Sequence, residues 1–176
     1  MRVFIELKTT LKKQVGFTLI ELMIALCITG VVAVSVVTTI YQLRNISNIH
    51  YAHVMSVKQV ENAVFYLNRD IQQAQNIETN VQGNWLTLNW TSWDTSQHQI
   101  TYRFSNVVNN IGDLIRNDGT INNTIAKSIN TSSSNTNVSY DSGTHILVLQ
   151  LTSTVKSGNK QNTETRKLSI IPRPGS

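Results

Sequence analysis

Cysteine, proline and charge are all scarce in this chain. Its 176 residues include one cysteine (Cys27), two prolines (Pro172 and Pro174) and only 14% charged residues. A single thiol excludes an intramolecular disulfide and a cysteine-based zinc site. It does not assign a reducing compartment, because an exported chain can simply lack disulfides. Catalytic signatures are missing too: there is no Gly-x-Ser-x-Gly elbow, phosphate-binding glycine loop or Cys/His pair. His50 and His53 stand three apart, a spacing compatible with metal ligation on a helix. No cysteine or Glu-x-x-His arrangement accompanies them. Asp113, Asp118 and Asp141 are scattered and form no dense calcium loop. No enzyme, cofactor or metal centre is expected.

The formal charge of +5 is unevenly placed. Arg2, Lys8, Lys12 and Lys13 against Glu6 give the first sixteen residues a net +3, which leaves +2 on the rest. That remainder is too small to argue for a polyanion partner. Lys156, Lys160, Arg166, Lys167 and Arg173 gather near the end without interleaved aromatics, so nucleic acid is the weaker partner reading.

What the chain does have is a long apolar run. Residues 17–43 are mostly Leu, Ile, Val, Ala, Met and Thr, with Gly30 as the only glycine and no proline. Roughly 20 helical residues cross a bilayer core of about 30 Å, and residues 22–43 suffice. A secretory signal fits poorly, since its apolar region spans about 7–15 residues and ends at small residues. Between Lys13 and Arg44 the one charge is Glu21. A carboxylate in hydrocarbon is costly unless it is paired or protonated. Cys27 is expected as a small buried apolar residue. The hydroxyls of Thr29, Ser35, Thr38 and Thr39 can bond back to the preceding turn and need mark no pore.

The string Lys12-Lys13-Gln14-Val15-Gly16, then Phe17-Thr18-Leu19-Ile20-Glu21-Leu22, resembles the N-terminus of prepilins, the type IV pilin and pseudopilin class. The resemblance covers about the first 45 residues. It implies cleavage between Gly16 and Phe17 by the membrane prepilin peptidase, and N-methylation of the new terminus at Phe17. It further implies that Glu21, fifth in the mature chain, meets the N-terminal ammonium of a neighbouring subunit during assembly. The helix macrodipole also favours a negative charge there. The basic leader would hold its end in the cytoplasm, giving a single-pass inner-membrane protein with a periplasmic C-terminal domain. Expected partners are other major and minor pilins or pseudopilins, the prepilin peptidase and the membrane itself.

Beyond Arg44 apolar residues return at Val57, Val60, Val64, Leu67, Ile71 and Ala74, a helical stripe. Lys58, Glu61 and Asp70 are expected off that stripe, and the helix is expected to end near residues 76–80. Period two then takes over. Strands are expected at residues 85–90, 99–104, 113–116, 144–155 and 165–171, the last stopped by Pro172 and Pro174. Turns are expected at Asn117-Asp118-Gly119 and residues 156–160. Residues 130–137 read as a mobile loop. Core packing is the expected role of Trp85, Trp90 and Trp93, with Trp93 falling in the loop after its strand; a sugar or partner platform is the alternative.

The expected organisation is a leader (1–16), a transmembrane and assembly helix (17–43), its amphipathic second half (44–78) and a β-rich domain (79–176). The fold class is α+β, an antiparallel sheet on one helix. Four short segments resemble J-type minor pseudopilins and W-type minor pilins. They are Leu67-Asn68-Arg69-Asp70-Ile71-Gln72-Gln73-Ala74, Tyr102-Arg103-Phe104, Leu114-Ile115-Arg116 and Ile170-Ile171-Pro172-Arg173. Pro174 stands where that group usually has asparagine. The resemblance implies a structural subunit that starts or caps a filament, with a tip-located binding module for DNA or a surface ligand as the alternative.

Overall fold

The computed structural model describes residues 16–173. Residues 1–15 of the expected leader, with its basic residues, and Pro174 lie outside that range. Helix α1 (Leu19–Gln73) is followed by β1 (Asn76–Val81), β2 (Asn84–Thr91), β3 (Gln97–Val108) and β4 (Ile111–Asn117). Next come β5 (Asn122–Asn130), β6 (Asn137–Asp141), β7 (Ile146–Ser157) and β8 (Lys160–Ile170). The chain forms two compact units that divide between Arg44 and Asn45.

In the first unit, helix residues 19–44 are exposed on every side. Leu19, Ile28, Val37 and Leu43 each keep well over half of their surface. A helix that is apolar all round with nothing packed on it belongs in lipid or against other helices. Its hydroxyls are satisfied within the helix. Thr29 donates to the Ala25 carbonyl at 2.7 Å, Ser35 to Val31 at 2.8 Å and Thr39 to Ser35 at 2.8 Å. Thr38 bonds the Val34 and Ser35 carbonyls. These hydroxyls therefore add little polar cost in a bilayer. Cys27, expected to be buried, is exposed on this surface. The residue is small and apolar as supposed, but no described residue of this unit is buried.

In the second unit, helix residues 45–73 lie on an antiparallel sheet, the expected α+β arrangement. Strand order is β1-β2-β3-β4-β5-β7-β6, with β8 paired to β7. The core joins Val60, Ala63, Leu67 and Ile71 of the helix, with Ala74 just past its end, to Leu86, Leu88, Ile100, Tyr102 and Leu114 of the sheet. Leu147, Leu149 and Leu151 come from β7. Lys58 and Glu61 are exposed as expected. Asp70 is not: it is 1% exposed, on the buried face with Ala63 and Leu67. The buried stripe of the helix runs Ala52, Ser56, Val60, Ala63, Leu67, Asp70 and Ile71, so Val60, Leu67 and Ile71 fall on it as expected. Val57 and Val64 sit at its margins.

The helix ends at Gln73, short of the expected 76–80. Sheet pairing captures the chain there. The Gln75 N–H donates to the Asn89 carbonyl at 2.9 Å, and Asn76 and Ile77 take register against Asn89 and Leu88. Gln82 and Gly83 turn β1 into β2 with φ of 53° and 78°, the pair of positive values a two-residue type I′ hairpin needs. Residues 130–137, expected to be mobile, are tied down. Asn130 Oδ1 accepts from the N–H and hydroxyl of Ser132, Thr152 Oγ1 donates to the Asn135 carbonyl at 2.6 Å, and Thr136 is buried.

The sheet opens between β5 and β7, which share the single pair Ile129 and Ser153. Helix side chains fill this seam. Gln59 Oε1 accepts from the Lys127 N–H at 2.6 Å, and Asn62 Nδ2 donates to the Ile125 carbonyl. Two polar residues thus stand in for a missing strand. Asn62→Ala should destabilise the domain by about 1–2 kcal/mol, because the carbonyl of buried Ile125 loses its donor. Gln59→Ala should cost less, since Lys127 is exposed and water can replace the amide. Urea unfolding of the two variants checks the order.

Candidate functional site

At the start of the apolar helix, Gly16 and Phe17 precede the first helical turn, and Phe17 is 90% exposed. Thr18 and Glu21 bond reciprocally. Glu21 Oε2 accepts from the Thr18 N–H at 2.9 Å and from its hydroxyl at 3.0 Å, while the Glu21 N–H donates to Thr18 Oγ1 at 3.4 Å. This is a capping box: it satisfies backbone donors that open helix ends leave free. The sequence carried the signal, threonine followed three residues later by glutamate before an apolar run. Macrodipole and assembly give Glu21 a role and leave Thr18 none. The geometry folds the carboxylate back to Thr18, the residue next to Phe17.

The second unit holds a buried ionic cluster centred on Asp70. Asp70 Oδ2 accepts from the Tyr102 hydroxyl at 2.7 Å and from Arg116 Nε at 2.6 Å; Oδ1 accepts from Arg69 Nε at 2.9 Å. The side chains of Asp70 and Arg116 keep 2% and 11% of their surface, and Tyr102 is fully buried. Arg116 also reaches Asp118 Oδ2 at 3.3 Å. Sheet register builds the cluster, since Tyr102 of β3 stands opposite Arg116 of β4 and both face the helix. Three of the four segments singled out in the sequence therefore meet at one carboxylate. Arg103 points to the exposed face instead. The fourth segment stays apart: Arg173 is exposed and lines a concavity with Gln72 and Trp93.

The Asp70 carboxylate is saturated with hydrogen bonds. Its oxygens are taken by three donors, and little of it meets solvent. It fastens the helix to the sheet. Burial drives the Tyr102 phenol far above its ordinary range, and the adjacent Asp70 charge and hydrogen bond push the same way. A phenol raised on folding stabilises the fold below its unfolded value of about 10, and that stability fades as pH rises past it. Wild-type stability should therefore fall more steeply between pH 9 and 11, roughly the phenol range, than that of Tyr102→Phe. Urea midpoints of both proteins across that range test this. Parallel curves would remove Tyr102 from the alkaline loss.

Asp118 sits in a loop turn and accepts from the N–H groups of Thr120 and Ile121 and the Thr120 hydroxyl, which hold its carboxyl well below the usual range. Asp141 is lowered in the same way by the Thr144 hydroxyl and the Gly143 N–H. Both serve their turns. His53 lies 3.5 Å from Asn162 Oδ1. Among the described residues no three His, Cys, Asp or Glu side chains gather into a metal-binding group.

Residues 11–37 match the family model of the prokaryotic N-terminal methylation motif. No curated protein and no solved structure matches the chain. The chain thus carries the N-terminal methylation motif, the hallmark of type IV pilin-like proteins, together with a long helix and antiparallel sheet of pilin-like architecture.

Proposed function

We propose that this chain is a minor pilin or pseudopilin, a non-enzymatic structural subunit that initiates or caps a type IV pilus or a type II secretion pseudopilus. One observation carries the reading: a wholly exposed apolar helix that opens on the Thr18–Glu21 box inside the methylation motif. The prepilin peptidase cuts between Gly16 and Phe17, discarding residues 1–16. Gly16 suits this step, since a residue without a side chain lets a protease bring its catalytic groups close to the following bond. Phe17 is then methylated, and Glu21 meets the terminal ammonium of a neighbouring subunit. Such a pairing offsets the cost of a carboxylate in lipid. Until then residues 17–43 anchor the chain in the inner membrane with residues 79–176 in the periplasm.

The initiating role rests on the J-type and W-type resemblance, to which the meeting of three segments at Asp70 adds support. A DNA-binding tip is the weaker alternative. The basic residues of β8 do not act as free cations throughout, since Arg166 lies 3.3 Å from Glu164 Oε1. Deleting the gene should lower the number of filaments, or of secretion-competent cells, and leave the length of remaining filaments unchanged. An unchanged count would rule out initiation.

A further inference from the structure

The tryptophans divide. Trp85 is buried in the core and Trp90 is half-buried against it, whereas Trp93 is 97% exposed. Core packing thus accounts for the first two and not the third. Exposing a whole indole forgoes the stabilisation of burying it, about 1.5–3 kcal/mol for a large apolar side chain. A single exposed apolar residue is ordinary, but this one sits on a built surface.

The β2–β3 turn that carries Trp93 is rigid. The Ser92 N–H donates to the Ser96 carbonyl at 2.9 Å, and Asp94 Oδ1 accepts from the Ser96 N–H and hydroxyl. Ser96 Oγ in turn lies 3.1 Å from His98 Nε2, and His98 stacks on Trp90 with centroids 5.3 Å apart and planes 19° apart. Gln75 Oε1 accepts from the Thr91 N–H at 2.9 Å, which fixes the ridge between two concavities. One, about 460 Å³, is lined by the amides of Asn76, Asn89, Gln97 and Gln99. The other, about 850 Å³, is lined by Gln72, Gln73, Trp93 and Arg173. They share Gln75, Trp90 and Thr91, and both volumes lie in the about 300–1,000 Å³ range of small-ligand sites.

We propose that this surface binds an oligosaccharide of uncharged sugar rings, with one ring stacked on Trp93 and its neighbours over the adjoining amides. The lining chemistry selects that class. A side-chain amide presents donors and an acceptor in one plane, which suits the adjacent hydroxyls of a sugar. Among the described residues no Lys, Asp or Glu lines either concavity, and Arg173 is the one formal charge. A polyphosphate would require several cations, and an apolar peptide anchor would require apolar pockets. An aromatic face over an amide-rich bed matches the two sides of a sugar ring, one carrying C–H groups and the other hydroxyls. The site uses no residue of 17–43, so the purified protein can test it without filament assembly.

The test uses the full mature chain in a detergent without a sugar headgroup, with Trp85→Phe as background so that Trp90 and Trp93 report. Cellotriose, maltotriose and triacetylchitotriose are titrated against tryptophan emission. At least one should give a saturable change at roughly millimolar concentration. Trp93→Ala should weaken its binding about tenfold, read by ligand-observed NMR, with the thermal midpoint unchanged. Phe65→Ala, another exposed aromatic, should bind normally. The proposal is overturned if none of the three sugars binds, if Trp93→Ala binds as tightly as the parent, or if a proline-rich decapeptide binds at Trp93 and the sugars do not.

Discussion

Asp70→Ala should destabilise the second unit by about 3–5 kcal/mol, the cost of breaking a buried ion pair by removing one partner. Arg116 would keep its charge with 11% of its surface exposed and only the more exposed Asp118, at 3.3 Å, left as partner. The buried Tyr102 hydroxyl would lose its acceptor. Against a total of about 5–15 kcal/mol for an ordinary domain, that loss brings the fold near its threshold. Asp70→Asn should fall between, because the amide keeps the shape and one acceptor but not the charge. Removing the whole cluster at once makes the sharper comparison. Asp70→Leu with Tyr102→Phe and Arg116→Met strands no polar group, so the triple variant should be more stable than Asp70→Ala. Glu61→Ala, on the exposed helix face, should stay within about 0.5 kcal/mol of wild type. Urea unfolding gives all four values. A loss below about 1 kcal/mol for Asp70→Ala would mean that the cluster is not what fastens helix to sheet.

Glu21→Ala should reduce the chain's recovery in sheared filaments at least about tenfold while membrane insertion proceeds normally. Insertion is if anything easier, since a charged residue at a helix centre costs about 2.5–3.5 kcal/mol and less near its end. On the proposed assembly, what is lost is the counter-charge for a neighbour's terminal amine. The capping box supplies a rival explanation, because Glu21 also closes its own helix. Two further variants separate the roles. Glu21→Gln keeps an acceptor for the Thr18 N–H and loses the charge. Thr18→Ala keeps the charge and loses the hydroxyl, at a cost of about 0.5–2 kcal/mol of helix stability. An intermolecular role puts Glu21→Gln with Glu21→Ala and leaves Thr18→Ala close to wild type. A capping role reverses that order.

How legible these features were in the sequence follows from how local their causes are. The motif at the first helix, the apolar run and strands β2, β3, β4, β7 and β8 are written in short-range pattern. Strand β5 was not read. Its buried residues Ile125, Ala126 and Ile129 break the period of two, and Ser128 takes a positive φ of 58°. Strand β1 offers one buried residue, Ile77, among asparagines and threonine, and strand β6 is five residues long. Each is a strand because a neighbour pairs with it. Asp70 shows the same limit at a site. A charge reads as exposed until Tyr102 and Arg116, more than thirty residues away, arrive by sheet register. Trp93 was placed in its loop correctly, but the concavity beside it depends on Gln72 and Arg173 from opposite ends of the domain sequence.

The mass of the N-terminal peptide, from protein purified out of membranes that contain the native processing machinery, bears most directly on filament assembly. The expected peptide begins at Phe17, carries one methyl group on its amine and retains Leu19 to Leu43. A peptide beginning at Met1, or one starting beyond the apolar helix, would leave Glu21 without the ammonium it is proposed to meet.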